Sequence, residues 1–214
     1  MGIAERKARE KKQRQESIID AAESVFIQKG YHAMTMEIVA EAVEINKATI
    51  YLYFQNKSDL FHAIVDRSLN TLLIMLKLTS EEQKTGLQQT LAFIDSYIDF
   101  CREHPHYCAA INHREENKRD ISSKEAKVPF DFKTDETAKR IFTLIIDAIT
   151  QGKSDGTIRQ DIQPDIATVL IWGLLVGTMQ MIENKQEMIH DLLGLSKEHI
   201  FKELSRYIIQ TLKA

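Results

Sequence analysis

Apolar residues recur along this chain at helical spacing. Ile18, Ala22, Val25 and Phe26 form one stripe in "QESIIDAAESVFIQKG", and Gly30 offers a C-terminal stop. Met36, Val39, Ala40 and Val43 repeat at i, i+3, i+4 and i+7, which predicts a second, short helix. Thr35 is its N-cap, and Glu37 in its first turn suits the positive end of the dipole. Glu44, Ile45 and Asn46 follow, and Asn46 is a second N-cap, for a helix "KATIYLYF". Two short helices joined by about three residues have the dimensions of a helix-turn-helix. Ile50 and Phe54, four apart, face the helices behind, while Lys47 and Tyr51 share another face.

A long helix is predicted from Ser58, with Leu60, Ile64, Leu72, Met75 and Leu76 among its apolar positions. Amphipathic segments follow at "LQQTLAFIDSYIDFCREH", "DETAKRIFTLIIDAITQGK", "DIATVLIWGLLVGTMQMIENK" and "SKEHIFKELSRYIIQTLK". Between the first two of these, "HREENKRDISSKEAKVPFDF" is polar, contains Pro129 and reads as a loop or a short interrupted helix. With 8 Gly and 3 Pro in 214 residues there is little material for hairpins, so the chain reads as all-α. Residues 1–57 read as one domain and 58–214 as another, the long helix joining them.

Residues 166–182 are apolar and carry Gly173 and Gly177 at the GxxxG spacing. They fall short of the roughly 20 residues that a bilayer needs, include Thr168, Thr178 and Gln180, and are flanked by Asp165 and Glu183. A buried helix against a partner is the expectation, with no membrane. The net charge is -3, but it is unevenly placed: Arg6, Lys7, Arg9, Lys11, Lys12 and Arg14 outweigh Glu5 and Glu10 at one end. Two cysteines are too few for a disulfide framework and no signal peptide precedes them, so the cytoplasm is expected. No Gly-rich phosphate loop, nucleophile elbow or HExxH occurs, which argues against an enzyme, and no cofactor is implied.

The block "GYHAMTMEIVAEAVEINKATIYLYFQNKSDLF" resembles the DNA-binding signature of the TetR family of transcriptional regulators. The family's pattern falls without gaps on Thr35, Val39 and Ala40, Glu44 to Asn46, Thr49 to Tyr51, Tyr53 and Phe54, and Lys57. Ala21, Ala22, Phe26, Gly30 and Tyr31 stand where the family's first helix has their like. The resemblance implies an N-terminal three-helix reader and a C-terminal helical bundle, about nine helices in all. It also implies a homodimer through the last two helices, a palindromic operator in double-stranded DNA, and repression relieved by a small-molecule effector.

Carried over residue by residue, the resemblance makes Thr35, Asn46, Lys47, Ala48, Thr49, Tyr51, Tyr53 and Lys57 the DNA-binding set. Hydroxyls and a lysine suit phosphates, whereas Lys47, Ala48 and Thr49 at the start of the recognition helix are placed for base edges. The basic arm suits phosphates or a minor groove. Glu44 departs from the family's usual Gly at a turn site that often has positive φ, at a cost on the order of 1 kcal/mol. Phe93, Tyr97, Phe100, Phe142, Trp172 and Met179 are candidates for lining an effector cavity, which makes an apolar or aromatic effector the expectation.

Two alternatives stand beside this reading. Cys101, His104, His106, Cys108 and His113 lie close together, as in a metal-responsive regulator, although the spacing fits no standard finger and a helix junction at Pro105 with partly buried cysteines explains it. A helical interaction protein that does not bind DNA explains the C-terminal half but not the Tyr-x-Tyr and the basic arm.

Overall fold

A computed structural model describes residues 2–117 and 136–214. Among the described residues there are nine α-helices: α1 (Ile3–Ala33), α2 (Met36–Ala42), α3 (Lys47–Ile50), α4 (Lys57–Glu81), α5 (Gly86–Glu103), α6 (Pro105–Asn117), α7 (Glu136–Ser154), α8 (Pro164–Leu193) and α9 (Lys197–Leu212). The only β pairing among them is an isolated bridge between Ile158 and Lys213. The chain is therefore all-α; eight of these helices follow the order that the apolar spacing predicts, and α6, which starts at Pro105, is an addition to it.

Three boundaries differ from that expectation. The first helix reaches back through the whole basic arm, because Lys, Arg, Glu and Gln are good helix formers and extending an existing helix needs no new nucleus. Its expected stop holds: Gly30 sits at φ 72°, where residues with a Cβ are strained, and one further turn follows. The third helix ends at Ile50 rather than Phe54. α8 passes a break at Lys185 (φ -136°) and continues to Leu193, where the sequence pattern stops at the break. Most of the polar stretch 113–132 lies outside the described residues.

The chain forms two compact units. One takes residues up to Ser68 and the segment from Ala109; the other takes Leu69–Cys108 and the C-terminal helices. α4 and α6 each supply residues to both. In the first unit, Ile18, Ala22, Val25 and Phe26 of α1 bury with Val39, Ala40, Ile50, Phe54, Leu60 and Ile64. Arg67 fastens α1 to α4 through ion pairs to Glu16, Asp20 and Glu23 at 2.7–2.9 Å.

In the second unit α5 packs on α7, α8 and α9. A Cβ on Gly86 would overlap the backbone of Ala148 and Gly152, so α5 and α7 meet where neither backbone is shielded by a side chain. Asp155 and Thr157, after α7, accept from the Gly86 and Leu87 amides at 2.8 and 3.3 Å and so cap α5. Gly86→Ala is expected to cost about 3 kcal/mol, the upper end of overpacking, because backbone rather than a flexible side chain must give way; urea unfolding of both proteins measures it.

Candidate nucleic-acid interface

The α2–turn–α3 segment is fixed by local hydrogen bonds. Thr35 Oγ1 accepts from the Ile38 amide at 3.3 Å, and Asn46 Oδ1 accepts from the Ala48 amide at 2.9 Å. Between the two caps, the Ile45 amide donates to the Ala40 carbonyl at 3.0 Å and the Glu44 amide to the Glu41 carbonyl at 3.2 Å. This pair of bonds is a Schellman ending, which places Glu44 at the position where glycine is favoured. Glu44 indeed lies at φ 54° and is the one positive-φ residue other than glycine among those described. Glu44→Gly removes the Cβ clash but adds unfolded-chain entropy, so a net gain of about 0.5–1 kcal/mol is expected, measured by thermal unfolding.

Ile50 and Phe54 are buried, and that burial sets the rotation of α3. Asn46, Lys47, Ala48 and Tyr51 are left exposed, with Thr35, Thr49 and Tyr53 half-exposed beside them. The amides of Tyr53 and Phe54 both donate to the Ile50 carbonyl at 2.9 Å, which closes the helix early and puts Tyr51, Leu52 and Tyr53 in a turn. Leu52 is 76% exposed, an apolar tip that the spacing argument passed over. An exposed apolar tip beside a reading helix suits a thymine methyl.

Lys47 is already engaged. Its Nζ bonds to Glu37 Oε1 and lies 5.6 Å from the centre of the Tyr51 ring. The Lys47 hydrogen bond holds the Glu37 carboxyl below its ordinary value, and the same bond holds the Lys47 ammonium above its own. Lys57 donates to the His32 carbonyl at 3.2 Å and sits over the Tyr31 ring at 4.2 Å, so it ties the start of α4 to the end of α1. A phosphate would have to share its remaining protons.

The six arm cations are all exposed on a helix, with one local pair, Arg6 to Glu10 at 3.5 Å. A helix about 10–12 Å across does not enter a minor groove about 6 Å wide, so the minor-groove option drops out while this helix persists. A rod with Lys7, Lys11 and Arg14 on one side suits phosphates.

Residues 18–64 match the family model of bacterial regulatory proteins of the tetR family. The chain carries the TetR-family DNA-binding region. A fatty acid metabolism regulator protein of Bacillus subtilis strain 168 is 23% identical over 189 residues, 88% of this chain and 92% of that protein. The uncharacterized HTH-type transcriptional regulator YhgD of the same organism is 41% identical over 69 residues, 32% of this chain and 34% of YhgD. The fold matches a crystal structure of the transcriptional regulator FadR from Bacillus subtilis in complex with stearoyl-CoA, with TM-score 0.70, 20% identity, and 92% of this chain and 98% of that one covered. The chain is thus a DNA-binding transcriptional regulator, and the α2–turn–α3 segment lies wholly within the matched region.

In the second unit a cavity of about 20 Å3 is lined by Leu76, Thr90, Phe93, Ile94, Tyr97, Ile145, Ile171, Trp172 and Leu175. Phe93, Tyr97 and Trp172 were legible as candidates; Thr90 and Ile94 complete the i, i+3, i+4, i+7 row that Phe93 and Tyr97 belong to. Phe142 meets Trp172 with the rings tilted and their centres 5.8 Å apart, whereas Phe100 and Met179 are buried outside the lining. Cys101 and Cys108, expected as partly buried residues of a helix junction, are buried and joined as a disulfide across the α5–α6 junction, with Cα atoms 5.1 Å apart. Among the described residues no group of three or more His, Cys, Asp or Glu side chains is placed to hold a metal ion.

Proposed function

We propose that this regulator is a cytoplasmic repressor that grips a palindromic operator as a homodimer and releases it on binding a long-chain acyl-CoA. The observation that carries the DNA half is the fixed α2–turn–α3 geometry: two side-chain caps and the burial of Ile50 and Phe54 leave Lys47, Ala48 and Tyr51 facing outward. In this reading Lys47, Ala48 and Thr49 meet base edges, while Thr35, Asn46, Tyr51, Tyr53 and Lys57 meet phosphates. Residues 1–57 do the reading and residues 58–214 the sensing and pairing.

The homodimer half rests on α8. Ile166, Val169, Leu170, Leu174 and Met181 are exposed in one row, and Gly173 and Gly177 lie on the same row with open space where a Cβ would be. α8 is long and apolar enough to cross a membrane by length and composition, contrary to the shortness read from residues 166–182. Its opposite row, with Thr168, Ile171, Leu175, Met179 and Ile182, is built into the helical bundle, which supports helix pairing rather than spanning. Glycine inside a helix costs roughly 0.5–1 kcal/mol against alanine, and close approach of a second α8 would offset that cost.

The acyl-CoA half is supported by the two relatives: one is named for fatty acid metabolism and aligns over most of the chain, and one was solved with stearoyl-CoA. The apolar lining suits an acyl chain, but about 20 Å3 is far below the roughly 300–1,000 Å3 of a ligand pocket. The ligand therefore selects a second unit that is more open than this one, and Leu76 on the cavity wall belongs to α4, the helix both units share. Half-sites about 34–36 Å apart hold a dimer only while its reading helices keep that spacing. The test is a titration of stearoyl-CoA into the protein bound to a duplex enriched from a random pool. Release by stearoyl-CoA but not by CoA alone is expected; retention of the DNA by every acyl chain length overturns the effector assignment.

A further inference from the structure

We infer that Glu37 is a base-reading residue, and that with Lys47 it forms a donor–acceptor pair that reads one G·C base pair in the major groove. This rests on the DNA-binding reading of the α2–turn–α3 segment. Glu37 is the second residue of α2 and Lys47 the first of α3, so their bond spans the two helices at the end that faces outward. Both side chains are about half exposed, 54% and 45%, which leaves each with bonding capacity toward solvent or a ligand.

An acid in the first turn of α2 gains about 0.3–1 kcal/mol from the helix dipole, but it would do so without a lysine beside it, and the exposed ion pair itself adds little to stability, so folding does not account for the pairing with Lys47. Nor does general affinity for DNA, because a carboxylate beside a reading lysine opposes attraction to a polyanion. The chemistry of a base-pair edge does account for it. A G·C pair presents two acceptors, guanine N7 and O6, next to one donor, the cytosine N4 amino group. Lys47 can donate to N7 and O6 while the Glu37 carboxylate beside it accepts from N4. An A·T pair offers its donor between two acceptors, so one member of the side-chain pair loses a partner. T·A presents the same acceptor–donor–acceptor order, and a C·G orientation sets the carboxylate against guanine's acceptors. A lone lysine tolerates any acceptor; the pair does not. Tyr51, with its ring 5.6 Å from the Lys47 ammonium, narrows the directions that Lys47 can take.

The test is selection from random duplex DNA by the full-length protein and by Lys47→Ala, Glu37→Ala and Glu37→Gln, all at one salt concentration. The base pair whose preference collapses in Lys47→Ala is expected to be G·C in the wild-type site. Glu37→Ala is expected to lose preference at that same base pair by about fivefold or more, with other positions unchanged. Glu37→Gln, which keeps an acceptor and drops the charge, is expected to recover part of that preference. If Glu37→Ala instead selects the wild-type site and binds every sequence more tightly, with Glu37→Gln indistinguishable from it, Glu37 is a neighbouring charge and the inference is overturned. Enrichment of no site by the folded wild-type protein overturns the DNA-reading function itself, and this inference with it.

Discussion

Leucine at both Gly173 and Gly177 is expected to yield a folded monomer whose affinity for a two-half-site duplex is down about 10²–10⁴-fold, the advantage a second linked contact confers. A Cβ at either position meets nothing within 4 Å among the described residues, and leucine raises helix propensity, so the fold is expected to persist. The added side chains point along the row of Ile166, Val169, Leu170 and Leu174, where a second α8 must come close. Sedimentation gives the mass, circular dichroism the helix content, and fluorescence anisotropy the affinity. A variant that remains dimeric with unchanged helix content would move the interface elsewhere.

Removing residues 2–14 is expected to flatten the salt dependence of DNA binding by roughly 2–3 in the log–log slope per protomer, at about 0.9 for each lost phosphate contact. That range corresponds to contacts from the single face that carries Lys7, Lys11 and Arg14. None of residues 2–14 is buried, and the anchors of α1 to α4 at Glu16, Asp20 and Glu23 lie beyond the cut, so the reader stays folded. Base preferences are expected to persist, because phosphate contacts position the protein without specifying sequence. Anisotropy titrations at several salt concentrations measure the slope; an unchanged slope would make the helical arm a spectator.

What was legible in the sequence is what short-range chemistry decides. Thr35 and Asn46 cap helices because their side chains reach amides two or three residues on, and Ile50 buries on the inner face of α3. The backbone at Glu44 was signalled only by the resemblance, whose turn usually holds glycine there, and the chain keeps positive φ at that position despite the Cβ. What was not legible depends on partners distant in the chain. The bond from Lys47 to Glu37 joins residues ten apart on separate helices, and Lys57 finds the His32 carbonyl 25 residues away. α3 closes early because Phe54 is drawn into a core assembled from α1 and α4 as well, which overrides the helical pattern of "KATIYLYF". The charged arm was missed as helix because it has no apolar stripe; it inherits its helix from the residues that follow. At the cavity, periodicity gives the α5 row, but which α7 and α8 side chains complete the wall follows from how those helices pack.

Reading of DNA by a pair of α3 helices is checked by selection of random duplex DNA with the purified protein at near-physiological salt. Enrichment of an inverted repeat whose half-sites are centred about 34–36 Å apart, one helical turn, is expected. A folded, dimeric protein that enriches nothing would overturn that function.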